Sequence, residues 1–194
     1  MDRVERNPML SEDSKRTLLA IARNSIALQL KQKTEPPLDL ASLPPELQAA
    51  GACFVTLTHD GALRGCIGSL EARQSLAQDV LEHAGDAAFR DFRFPPLSET
   101  ELAGLHIEIS VLTAPRPLKY ANAEELPSLL HPGKDGVILA RGLRRATFLP
   151  QVWEKVPEPS QFLDMLCEKM GFEYDLWRRE KLDVFIYHVE SFEG

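Results

Sequence analysis

The chain has 194 residues, room for one generous domain or two small ones, and its 44% hydrophobic and 26% charged content is an ordinary globular balance that can fill a core. A formal charge of −7 disfavours a protein that grips nucleic acid by its phosphates or settles on an anionic membrane surface. No apolar run approaches the roughly 20 residues a membrane helix needs, and three cysteines without a CxxC or a close pair argue against a structural zinc site.

The N-terminal MDRVERNPML carries charge with no apolar stretch behind it, so no secretory signal is expected. With an odd number of thiols, that points to a reducing compartment, the cytoplasm. Residues 11–31 read as a helix, with Ser11 as N-cap, Glu12 and Asp13 in the first turn, and Leu19, Ala22, Ile26 and Leu30 on one buried face. Two Pro-Pro pairs make residues 34–51 an ordered crossover rather than a helix. From Ala52 the period changes: ACFVTLT and ALRGCIG flank His59-Asp60-Gly61, and Asp-Gly predicts a hairpin. Ser75, with Gln78 three residues on, resembles a capping box and opens a helix ending near Phe89. A tight loop, RDFRFPPLS, leads to the strand LHIEISVL, with Ile107, Ile109 and Val111 on one face and His106, Glu108 and Ser110 on the other.

A short helix near residues 123–130 ends at HPGKDG, and GVILA and RRATFL predict a second hairpin around Arg141-Gly142. Ser160 caps a further helix with Gly171 at its C′ position, and LDVFIYHVES is the last strand. VTLTHDGALRGCIGSL and VILARGLRRATFLPQV echo one another: Gly61 and Arg64 match Gly142 and Arg145, while Cys66 falls opposite Thr147. Hairpins interspersed with helices predict an α+β fold in which two related halves close one antiparallel sheet.

LRGCIGSL, residues 63–70, is the leading candidate site. Alternation places Arg64, Cys66 and Gly68 on one face, and Leu63, Gly65 and Ile67 on the other. Glycines flanking a cysteine mark a place where another backbone or a ligand comes close, so the amides near Gly65 and Gly68 are candidate ligand contacts. A neighbouring guanidinium favours the thiolate, which is the nucleophile. The same thiol also reads as a small core hydrophobe, as most free cysteines are. Cys53 and Cys167 read as core. The histidines at 59, 83, 106, 131 and 188 form no HxH, HxxxH or HExxH, so no metal site is expected, and any one of them could reach Cys66. Glu108 is a candidate proton-transfer group beside His106. In RDFRFPPL, Arg93 is either held by Asp91 or forms an anion-binding lip. GKDG lacks Walker spacing and no GxGxxG occurs, so no nucleotide or other cofactor is expected.

At LRGCIG the chain resembles the AMMECR domain family, whose prokaryotic members are called AmmeMemoRadiSam system protein A. FVTL followed by GALRGCIGSL, DFRFPPLSETEL, IEISVLTAP, GKDGVIL, FLPQVW and FLDMLCEKMGF fall in the family's order and approximate spacing, from about Cys53 to Trp177. Departures are small: Phe92 stands where proline is frequent, and Ala146 where glycine is common. The resemblance implies a single domain over 1–194, with pseudo-repeated halves at approximately 52–115 and 136–190, preceded by a helix and a Pro-rich crossover. It implies a curled, barrel-like antiparallel sheet flanked by helices. It also implies a three-part set with a Memo-like protein, itself similar to extradiol dioxygenases, and a radical S-adenosylmethionine enzyme.

Three functions follow as expectations. The first is an enzyme or substrate-handling subunit with Cys66 as nucleophile or covalent acceptor and Arg64 orienting an anionic group. The second is a non-catalytic adaptor for the Memo-like or radical enzyme. The third, a nucleic-acid module on Arg64, Arg93, Arg144 and Arg145, is opposed by the net charge.

Overall fold

The computed structural model describes residues 10–33 and 36–194. The first nine residues, read above as lacking a signal, and the first two of the Pro-rich crossover lie outside the described residues. The chain divides into two compact units, one running up to Thr113 and adding Glu190–Gly194, the other Ala114–Val189.

In the first unit, α1 (Glu12–Leu30) starts where Ser11 accepts the Ser14 N–H at 3.1 Å. Its buried face is Ser14, Leu18, Ala22, Ser25 and Ile26, one step away from the expected Leu19. The crossover is not wholly extended: Pro45, at the first helical position, opens a single turn, α2 (Pro45–Gln48). Fully buried Leu47 anchors that turn in the core. β1 (Ala50–His59) and β2 (Ala62–Gly68) pair antiparallel about Asp60 and Gly61, whose φ angles of 50° and 77° give the left-handed turn a tight hairpin needs. After β3 (Gln74–Ser75), α3 (Leu76–Phe89) is capped by Ser75, which accepts from the Gln78 N–H. The capping box is half made, because the Gln78 side chain turns to Glu82. β4 (Leu105–Leu112) pairs antiparallel with β1 along its whole length. Cys53, Val55 and Leu57 of β1 and Leu105, Ile107 and Ile109 of β4 share one core with Leu18, Val80 and Ala84 of the two long helices.

The second unit contains β5 (Arg116–Pro117), α4 (Leu126–Leu129), β6 (Gly136–Arg141), β7 (Arg144–Phe148), α5 (Pro159–Lys169), α6 (Leu176–Arg179) and β8 (Asp183–Tyr187). Its antiparallel sheet runs β5-β8-β6-β7. Glu158, rather than Ser160, caps α5 by accepting the Gln161 N–H, while Gly171 takes the expected left-handed C′ conformation at φ 88°. Trp153 stacks on Phe162 with ring centroids 3.7 Å apart, at the heart of a separate core.

The run expected as one last strand is two. It breaks at His188, and β9 (Val189–Glu193) joins the first sheet, whose order is β2-β1-β4-β9 with β3 also on β1. The expected single barrel-like sheet is therefore corrected to two antiparallel sheets, with no closed barrel among the described residues. The physical reason lies at the edges: β2 and β9 end one sheet and β5 and β7 the other, and neither order returns on itself. The two echoing hairpins, β1–β2 and β6–β7, fall in different sheets.

Candidate functional site

Cys66 lies on an edge strand, opposite Thr56 of β1, and Thr56 Oγ1 donates to its sulfur at 3.4 Å. Val55 and Leu57 point into the core, so Thr56 and its partner Cys66 take the other face of the sheet. Cys66 is partly exposed, whereas Cys53 and Cys167 are buried. On the far side of Thr56 comes Glu108, its β4 partner, which accepts from Ser110 Oγ at 3.4 Å. Cys66 and Glu108 thus share a row and a face, but two strand spacings, roughly 9–10 Å, separate them. His106 is one pair further along, opposite Thr58.

An edge strand leaves alternate N–H and C=O groups without a ladder partner. At Cys66 the RDFRF loop supplies them. Asp91 Oδ2 accepts the Cys66 N–H at 2.9 Å, and the Arg93 guanidinium donates to the Cys66 carbonyl at 3.2 Å. The two loop residues are joined by a fork, Nε to Oδ1 at 2.9 Å and Nη2 to Oδ2 at 2.6 Å. Hydrogen bonding from Arg93, with help from the Cys66 N–H, holds the buried Asp91 carboxyl well below the usual carboxylate range. Of the two readings of Arg93, the structure has the one in which Asp91 holds it.

Arg64 does not follow simple alternation. The ladder slips between Leu57 and Thr58, so Thr58 faces Leu63 and Arg64 is the extra residue of a bulge. Leu63 therefore joins the Cys66 face, and Arg64 reaches Glu101 by Nε at 2.6 Å and the Pro96 carbonyl by Nη2 at 3.3 Å. That hydrogen bond, together with those from Ser98, pulls the Glu101 carboxyl down to about 2. Arg64 Nη1 is buried with no hydrogen-bond partner among the described residues. The close approaches at the glycines are made by the protein itself. A Cβ on Gly65 would stand 2.1 Å from the Ala87 carbonyl oxygen of α3, and one on Gly68 would stand 2.4 Å from the Cys53 carbonyl oxygen and the Phe54 ring. Of the other arginines, Arg144 contacts the Gly171 carbonyl and the Phe172 ring.

A second constellation was missed by spacing. Cys53 of β1 and Asp79 and His83 of α3 converge on the core side: Cys53 Sγ lies 3.9 Å from His83 Nδ1, which lies 3.2 Å from Asp79 Oδ2. Asp79 also accepts the Cys53 N–H at 2.9 Å and the Ser69 hydroxyl at 3.2 Å. Burial pushes the Cys53 thiol up, and the adjacent Asp79 charge adds to it. Burial is the largest single influence on Asp79 and His83 and opposes charge on both, yet their mutual hydrogen bond and attraction, joined by Cys53 at Asp79 and by Asp86 and Glu82 at His83, together lower the acid and raise the base. The legible signal was the four-residue spacing of Asp79 and His83, which shares a helix face. In the second unit, buried Asp135 accepts from His131 N–H at 2.8 Å and lies 3.0 Å from His188 Nε2.

Among the described residues no helix is long and apolar enough to cross a membrane. Compared with known proteins, the AMMECR1 family model matches residues 19–192. A protein of Methanothermobacter thermautotrophicus is 38% identical over 184 residues, covering 94% of this chain and 95% of that one. A protein of Thermofilum pendens is 35% identical over 196 residues, covering 94% and 91%. The crystal structure of the uncharacterized protein PH0010 from Pyrococcus horikoshii is similar at TM-score 0.78 and 33% identity, covering 95% of this chain and 93% of that one.

Proposed function

The chain belongs to the AMMECR1 family, and from that premise we propose that it is a substrate-handling protein whose working group is the Cys66 thiol. The observation that carries this reading is the accessibility of Cys66 combined with its fixed backbone. It is the one partly exposed thiol of three, and both of its outward main-chain groups are bonded by an ion pair of buried Asp91 and exposed Arg93. A nucleophile held in that way loses little freedom when a substrate docks. In this reading Thr56 orients the sulfur, while Arg64, whose Nη1 is buried and whose other nitrogens pair with Glu101 and the Pro96 carbonyl, steadies the strand next to it. Glu108, two strands away, contacts a bound substrate rather than the thiol itself. The loop residue Arg93 and the glycines Gly65 and Gly68 shape the site without reaching the ligand. The partners implied by the resemblance, a Memo-like protein and a radical S-adenosylmethionine enzyme, supply or consume that substrate in a reducing cytoplasm.

The test is alkylation of the native protein with iodoacetamide, followed by peptide mapping. Cys66 should label first and faster than a free thiol at neutral pH, with Cys53 and Cys167 labelled only on unfolding. A rate no faster than a free thiol's, with no pH dependence below about 8, would remove the reading.

A second reading, the non-catalytic adaptor, is favoured by Phe92. The residue is 95% exposed between Asp91 and Arg93, an apolar anchor on the loop that bonds the Cys66 main chain. If it holds, Phe92→Ala abolishes association with the Memo-like or radical enzyme while Cys66→Ser leaves it intact; no association in any mixture eliminates it. A nucleic-acid role is disfavoured, because Arg64 and Arg93 are already paired with Glu101 and Asp91.

A further inference from the structure

We propose that Cys53, Asp79 and His83 form a binding site for a divalent cation of the zinc class, on the core side of the first sheet and separate from Cys66. The argument starts from the elements. Asp79 and His83 are one helical turn apart on α3, and Cys53 is the core-facing residue of β1 over which that turn packs. The three ligand atoms lie within 4.8 Å of one another.

Two of the donor separations come close to those of a coordination polyhedron. Zinc bonds of about 2.3 Å to sulfur and about 2.0–2.2 Å to nitrogen and oxygen place neighbouring tetrahedral donors roughly 3.3–3.6 Å apart. The observed separations, 3.9 Å for sulfur to nitrogen and 3.2 Å for nitrogen to oxygen, differ from that by a few tenths of an ångström. A thiol, an imidazole and a carboxylate together suit zinc better than magnesium or calcium, which prefer oxygen alone.

The ligands are also supported from behind. Asp79 is held by the Cys53 N–H, the Ser69 hydroxyl at 3.2 Å and the Gln74 amide at 3.3 Å, the kind of outer shell that fixes a ligating carboxylate. Three of the four positions of a tetrahedral ion are thereby filled, which leaves one for water. Cys53 and Asp79 are buried, but the His83 side chain is 13% exposed and marks the way in.

The experiment uses the full chain, stripped with a chelator and titrated with Co²⁺ and then Zn²⁺. One equivalent of Co²⁺ should give tetrahedral d–d bands and a thiolate-to-cobalt charge-transfer band, displaced by Zn²⁺. Both signals should persist in Cys66→Ser and Cys167→Ser and vanish in Cys53→Ser. Because Cys53 is fully buried and its variant could misfold, His83→Gln provides the second arm. It should fold, keep its alkylation of Cys66, and bind Zn²⁺ at least about a hundredfold more weakly. Zn²⁺ should also raise the Tm of the parent protein and not that of His83→Gln. No uptake at micromolar metal overturns the proposal, as does a cobalt signal that depends on Cys66 instead of Cys53.

Discussion

Cys66 offers two main-chain groups to the open side of an edge strand, and Asp91 and Arg93 take both. A side-chain pair here does the work of one more strand at one residue. Asp91→Asn removes the charge that pairs with Arg93 and leaves one acceptor oxygen for the Cys66 N–H and the guanidinium to share, so it should cost about 2–3 kcal/mol at neutral pH. Denaturant melts measure it. The pH dependence has a definite sign. Asp91 and Glu101 both have folded-state values below the ordinary carboxylate range, Asp91 through Arg93 and Glu101 through Arg64. Their stabilisation is therefore present above the ordinary range and is lost as pH falls through it toward 2 and below. The stability difference between the parent and Asp91→Asn should shrink over that acid window; a constant difference would contradict the pairing. The Arg93–Asp91 contact was legible from two-residue spacing. The bond from Asp91 to Cys66 was not, because 25 residues separate them.

At the scale of elements, the contact of β2 with α3 rests on the absence of a side chain. The Ala87 carbonyl occupies the place a Gly65 Cβ would need, and a backbone group cannot swing aside as a side-chain tip can. Gly65→Ala should destabilise by about 1–3 kcal/mol through overpacking, toward the upper end. Gly61 is the control: nothing lies within 4 Å of a Cβ there, so Gly61→Ala carries only the strain of φ 77°, about 1 kcal/mol. Equal costs at the two sites, measured by the same chemical denaturation, would refute the packing argument. Strand identity and the hairpin were readable here from alternation and Asp-Gly. The bulge was not: it moves Leu63 to the Cys66 face and releases Arg64 toward Glu101, a change no period-2 pattern encodes.

At the scale of the whole molecule the described residues form two cores, one around Val55, Ile107 and α1, the other around Trp153 and Phe162. Phe162 is fully buried, stacked on Trp153 and edge-on to Phe148 at 5.3 Å. Phe162→Ala should lower stability by about 3–5 kcal/mol and shift tryptophan emission as Trp153 loses its stacking partner. Unchanged emission together with unchanged stability would show that the stack is dispensable.

The sequence by itself determined the caps at Ser11 and Ser75, the Asp60-Gly61 hairpin, the faces of LHIEISVL, the acidic balance and the family. Each of these is local or compositional: helical and strand periods, turn preferences and capping act among residues a few positions apart. Only the tertiary structure decided that the last apolar run serves two sheets, that β2 is an edge closed by Asp91 and Arg93, and that Cys53 meets Asp79 and His83. Those outcomes depend on which strand neighbours which and on how a helix lies across them. They are settled by packing between distant segments, where one bulge or one glycine changes which side chains meet.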